Sequence, residues 1–160
     1  MKITKGEWYL VFQITLIIIH FSQGWPNNTN MNYEIYKYIQ ISGIIISSKG
    51  LISLSIAFQS LGRNLSLLPT PVEDSILITK KSYKKCRHPI YKELLYISLG
   101  ISIYKLSLLH LLLLIILSYI LKQKAILEEK ELILKHYSYR KYIKSTPAII
   151  KNLPYLDWRS

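Results

Sequence analysis

Apolar positions along this chain gather into three long blocks, residues 8–21, 39–61 and 91–121. They do not recur at the 3.6-residue or two-residue spacing of elements that show one face to water, so the pattern predicts membrane-embedded helices and an all-α fold. The third block decides the number of spans. As one helix its roughly 31 residues would extend about 46 Å, against a hydrocarbon core of about 30 Å. Gly100, Ser102, Tyr104 and Lys105 interrupt its leucines, so a break there is expected, with two short helices joined by a tight turn. The expected spans are 8–21, 39–61, 90–103 and 106–122, the last two forming a helical hairpin.

Past Leu121 the sequence turns to strong helix formers with i to i+4 charge pairs, from Lys122 through Glu128, Glu129 and Lys130 to Leu134. The last span is therefore expected to run on as a helix beyond the bilayer, in a tail over 123–160. Pro147 and Pro154 stop regular structure there, and Tyr155 and Trp158 are expected at the membrane interface. A length of 160 residues fits one domain, 1–160.

Charge orients this plan. The formal net charge is +12, and its cations concentrate at Lys2 and Lys5, in the loop 63–87, and in the tail from Lys122. Four spans put all three on one side, so both termini are expected to be cytoplasmic; three spans would split the basic loop from the basic tail. Nucleic-acid binding is the rival explanation of a basic chain, but no helix-turn-helix, zinc-finger or RNP pattern accompanies the charge. Cys86 stands alone, which excludes an intramolecular disulfide and a Cys-based zinc site; it reads as structural, and no metal site is expected.

The first block could pass for a signal peptide. The stretch His20-Phe21-Ser22-Gln23-Gly24 is a poor cleavage site, and Trp8 and Trp25 flank the block as interface anchors, so a retained span is expected. Gly43, Ser47, Ser48 and Gly50 form a small-residue series suited to contact with a neighbouring helix. Lys49, mid-block, either snorkels or faces a cavity. The sequons at Asn27 and Asn64 read as chance triplets.

The hairpin brings chemically able residues together. Arg87, His88 and Tyr91 at one mouth would face Glu128, Glu129 and the tyrosines Tyr137, Tyr139 and Tyr142 at the other. Cationic donors on one wall and a carboxylate pair on the other suit a zwitterionic ligand carrying a carboxylate and an ammonium or sulfonium. Each residue also has a duller reading: Arg87 as a topology charge, His88 as the residue before a helix-starting Pro89, Glu128-Glu129 as a solvated helix face.

These residues resemble the integral-membrane methyltransferases related to isoprenylcysteine carboxyl methyltransferase and the phospholipid N-methyltransferases. That family shows Arg-His-Pro-x-Tyr, a hydrophobic helical hairpin and then Glu-Glu, matched here by Arg87, His88, Pro89, Tyr91, Glu128 and Glu129. Upstream, residues 61–71 are similar to its Leu-Gly-x-Asn-Leu-x-x-x-Pro-x-Pro segment, and Tyr139-Arg140-Lys141-Tyr142 to its Tyr-x-x-Tyr. The resemblance implies S-adenosylmethionine as cofactor, with Arg87 and His88 near its carboxylate, Glu128 or Glu129 on its amino group or ribose, and Tyr91 closing the pocket. It implies methyl transfer at the membrane–cytosol interface to a lipophilic acceptor bearing a carboxylate, thiol or amine, whose identity the motifs do not specify. The alternatives are a non-catalytic membrane protein of the same fold and, less well supported by the apolar spans, a transporter. The chain departs from the family at Lys81-Ser82-Tyr83, where Thr-Gly-x-Tyr is usual, at Glu93, where a small residue is usual, and at His136-Tyr137, where Phe-Gly or Phe-Pro is usual. Loss of those glycines is expected to crowd the cofactor.

Overall fold

The computed structural model describes residues 6–26 and 31–159, and every regular element among them is helical. Lys2, Lys5 and the sequon at Asn27 lie outside the described residues. The helices are α1 (Glu7–Ile19), α2 (Tyr33–Leu61), α3 (Pro89–Lys105), α4 (Leu108–Lys135) and α5 (Tyr139–Ser145). Short 3₁₀ turns at Gly62–Asn64 and Lys81–Lys84 punctuate the connection between α2 and α3. The first four helices run alternately up and down and pack in the order α1, α4, α3, α2.

The most extensive contact, between α2 and α3, follows from the small residues. A Cβ on Gly43 would lie 2.6 Å from the Gly100 carbonyl oxygen and 2.6 Å from the Tyr104 nitrogen, so the two backbones meet with no room for a side chain. Gly50 faces Ile97 about two turns further along α2, Ser47 donates to the Ile97 carbonyl at 3.4 Å, and Ala57 is fully buried. The expected packing series thus holds at Gly43, Ser47 and Gly50, while Ser48 and Lys49 point outward. Lys49 lines none of the cavities described below.

The hairpin forms, but its turn lies at Leu106-Ser107. Gly100, expected near the break, instead continues α3 because its missing side chain is what lets α2 approach. Leu106 takes the left-handed conformation, φ 46, to end α3, at a cost of about 1–2 kcal/mol for a residue with a side chain. Ser107 offsets it: its hydroxyl caps α4, accepts from Trp25 N at 2.9 Å and donates to Trp25 O at 3.0 Å. Around this turn His20 bonds Ser98 at 2.5 Å and His110 bonds Ser107 at 2.9 Å and the His20 carbonyl at 3.2 Å. The end of α1, the turn and the start of α4 are thereby tied into one polar knot.

As expected, α4 runs on past residue 122, to Lys135. Two helical stretches, Tyr33–Asn64 and Leu108–Lys135, are long and apolar enough to cross a membrane. Their outward faces carry exposed Ile44, Ile45, Ile52 and Ile56 on α2 and Leu112, Ile115, Ile116 and Tyr119 on α4. A contiguous apolar exterior of this kind marks a membrane or a partner surface, since monomeric soluble proteins keep such patches small.

Candidate functional site

At the end of the bundle opposite the hairpin turn, α3 begins and α4 projects beyond the apolar region. His88 is the residue before α3, with Pro89 at the first helical position, where its missing N–H costs nothing. Glu128 and Glu129 sit across from it on α4, so the hairpin registers the two motifs against each other.

The geometry is close. His88 Nε2 lies 2.8 Å from Glu129 Oε1 and Nδ1 lies 3.5 Å from Glu128 Oε2, and Tyr91 donates to Glu128 Oε2 at 2.9 Å. The His88 ring stacks on Tyr91, centroids 5.3 Å apart and planes 5° from parallel. Arg87 Nε is 3.1 Å from Glu129 Oε1 but makes no hydrogen bond to it, so that attraction is electrostatic. All six residues singled out in the sequence come together here, Pro89 through its backbone position.

Burial and charge set the protonation states. Burial lowers the basicity of His88, but the hydrogen bonds and negative charges of Glu128 and Glu129 more than offset that and lift its pKa from 6.5 to about 9. His88 is thus an imidazolium at neutral pH. Glu129 is shifted the opposite way: burial raises its pKa, and bonding to His88, with the charges of His88 and Arg87 and the Trp158 N–H, brings it below its ordinary value. The Cys86 thiol beside this cluster is pushed up to about 11 by burial, which keeps it an inert thiol, as expected.

Residues beyond α5 complete the site. The chain returns across it, with Arg87 N donating to the Pro147 carbonyl and His88 N to the Ala148 carbonyl, both at 2.9 Å. Trp158 Nε1 donates to Glu129 Oε2 at 2.8 Å, the Trp158 carbonyl accepts from Arg87, and the indole lies 5.9 Å from the guanidinium. Sequence reading placed Trp158 at a membrane interface and missed this role; the only available signal was an aromatic residue following two helix-stopping prolines. Of the three tyrosines, Tyr139 and Tyr142 are buried beside the site, whereas Tyr137 is 89% exposed and takes no part.

Two cavities meet at Arg87, Tyr83 and Glu128. The smaller, of about 70 Å³, lies between the 64–78 loop, α4 and α5. Three buried groups on its wall, Arg87 Nη1, Tyr139 Oη and Ser75 Oγ, have no hydrogen-bond partner among the described residues. The larger, of about 190 Å³, is walled by Ile17, Phe58, Leu65, Ile90 and Leu94, with Lys124 and Gln13, themselves bonded at 2.8 Å, as its polar edge. Both compartments have more apolar than polar wall; the smaller carries the unbonded donors, and the larger has the greater apolar surface alongside Arg87, His88, Lys124 and Glu128. Lys81, Glu93, His136 and Tyr137 line neither, and Glu93 is turned to an ion pair with Lys92 at 3.0 Å.

No protein-family model matches this sequence, and no curated protein is significantly similar to it.

Proposed function

We propose that this chain is an integral-membrane methyltransferase that takes S-adenosylmethionine at the Arg87–Glu129 end of its bundle and methylates an apolar or lipid-attached acceptor. The observation that carries the reading is the pair of adjoining cavities, one presenting the unbonded Nη1 of Arg87 and the Tyr139 phenol, the other with the larger apolar wall. Leaving such buried donors unmet costs about 1–3 kcal/mol each, more for a charged one, so the smaller cavity suits a carboxylate-bearing ligand. The donor set fits the amino-acid end of the cofactor: Arg87 and Tyr139 would hold its carboxylate, and Glu128, whose side chain is 30% exposed, its ammonium.

The cofactor supplies an electrophilic methyl group, so the protein's own task is to position, orient and dry the reactants. His88, stacked on Tyr91, hydrogen-bonded to Glu129 and ion-paired with Glu128, holds both carboxylates in place. Trp158 and the 146–158 segment shield this end from water. Tyr83 and Glu128 stand where the two cavities meet, and Glu128 is placed to take a proton if the acceptor is an amine; a carboxylate or thiolate acceptor needs none. The larger apolar wall of the second cavity favours an acceptor that enters from the bilayer, since a polar one would lose its hydration there. That Lys81, Ser82, Glu93, His136 and Tyr137, where the chain departs from the family pattern, line neither cavity supports the same reading.

Membrane insertion belongs to this proposal. Four spans, α1 to α4, would place the site, the loop 62–88 and the tail on the cytosolic side. α3 is about 26 Å long and α1 about 20 Å, short of the hydrocarbon thickness by amounts that local thinning accommodates.

The test is calorimetric titration of S-adenosylmethionine into the detergent-purified protein. Arg87→Gln and Tyr139→Phe should each weaken binding, by about tenfold or more for Arg87, and unchanged affinity in both folded variants refutes the site. Methyl-labelled cofactor added to membranes should then label organic-extractable product. A second reading, a non-catalytic binding protein, is favoured by one observation: Glu129 is already paired by Arg87, His88 and Trp158. Cofactor binding without transfer to any acceptor class would select it.

A further inference from the structure

A third cleft, of about 360 Å³, opens between the second half of α2 and the start of α3 and shares no wall residue with the two cavities above. Its rim carries Lys81, Lys85 and Lys92 and the hydroxyls of Ser53 and Ser82, with Ile56 at its base. One carboxylate, Glu93, also lines it, and that is committed to Lys92 at 3.0 Å. Lys81 and Lys85 have no acidic group within ion-pair distance among the described residues, and Lys80 and Lys84 beside them are exposed as well. Lys81 also holds the left-handed conformation, φ 54, unusual for a residue with a side chain.

What lies below the rim identifies the occupant. Ile56 and Ile52 on α2 are 49% and 65% exposed, and Ile45 and Ile44 continue this exterior toward the hairpin-turn end, with exposed Ser48 and Lys49 between them. Paired cations and hydroxyls beside an isoleucine-rich face that Ser48 and Lys49 interrupt match a phosphate headgroup over acyl chains; a soluble phosphate would leave those isoleucines bare, and an acidic peptide would not cover them.

We infer that this cleft binds the headgroup of one anionic glycerophospholipid, with Lys81 and Lys85 on the phosphate, Ser53 and Ser82 on its oxygens, and the acyl chains along the outer face of α2. The inference rests on membrane insertion but not on methyl transfer. Juxtamembrane lysines attract anionic lipid electrostatically, and a bounded cleft turns that attraction into a single site.

Native mass spectrometry of the detergent-purified chain, titrated with phosphatidylglycerol or phosphatidylcholine, tests it. One phosphatidylglycerol per chain should be retained, at least about tenfold more tightly than phosphatidylcholine. Lys81→Gln/Lys85→Gln should abolish that preference, each single variant should lose part of it, and Lys141→Gln/Lys144→Gln, with the same charge change elsewhere, should keep it. Equal retention of the two lipids, preference surviving the cleft variant, equal loss in the tail variant, or displacement by millimolar inorganic phosphate each overturns the inference. A chain that stays monodisperse without detergent and binds neither lipid overturns membrane insertion along with it; lipid indifference in a detergent-dependent chain overturns the cleft alone.

Discussion

Raising the pH from 6.5 to about 9.5 should strip this fold of a stabilising charge at its functional end. His88 in the folded chain has its pKa lifted from 6.5 to about 9, so the folded state holds its proton more tightly than the unfolded state. The stability this contributes is fully present below about 6.5 and is lost as pH rises through about 9. A gap of about 2.5 units corresponds to roughly 3 kcal/mol as a ceiling, because the same attraction also lowers Glu129 and cannot be counted twice. For a chain of this size that is on the order of 6–12 °C in melting temperature. Intrinsic tryptophan fluorescence of the detergent-purified protein, melted at half-unit pH steps, reads it directly. Cys86, held up to about 11, also drains stability as pH rises past 9, but equally in His88→Gln, so the difference between the two proteins isolates the histidine. His88→Gln should be less stable at pH 6.5 and approach wild type by pH 9.5. Parallel profiles across that range would show that the ring does not carry the charge assigned to it.

Glu129→Gln leaves Arg87 and His88 buried without their shared countercharge and should cost about 3–5 kcal/mol, read by a thiol-reactive dye that reports exposure of buried Cys86 on melting. Gly43→Leu pushes a side chain into the backbone of α3, from which even a Cβ would be 2.6 Å away, and should destabilise by at least about 1–3 kcal/mol; a melt matching wild type would mean that the α2–α3 contact is looser than described. Trp158→Phe removes the 2.8 Å bond to Glu129 and should cost about 1.5–3 kcal/mol, and less in a Glu129→Ala background, where the acceptor is already gone. Single cysteines at positions 80 and 145, in a Cys86→Ser chain, should be labelled from the same side of the membrane; labelling from opposite sides removes the four-span arrangement.

The hairpin and the meeting of Arg87, His88 and Tyr91 with Glu128 and Glu129 were legible because both follow from short-range rules: an apolar block too long for one span, and motifs at its two ends. The position of the turn was not, because Gly100 reads locally as a helix breaker and only the approach of Gly43 on α2 reveals it as a contact residue. The return of residues 146–158 was equally hidden. Pro147 and Pro154 announce that a helix stops, yet nothing local says that Trp158 comes back to Glu129, a pairing decided by the burial of Ile149 and Leu156 against the bundle. The partnerless Tyr139 and Ser75 were invisible for a like reason, since an unmet donor is a property of a cavity and not of a residue pattern.

The two ends of the bundle are fastened in different ways. At the hairpin turn, side chains are bonded to backbone and to one another, with Gly43 and Gly100 interlocked close by, and little there can move without breaking several contacts at once. At the other end, the helices are joined across their tips by charged groups and by the irregular segment 146–158 that returns over them. The molecule is therefore built like a clothes-peg, with its spring at the turn and its jaws at Arg87 and Glu129.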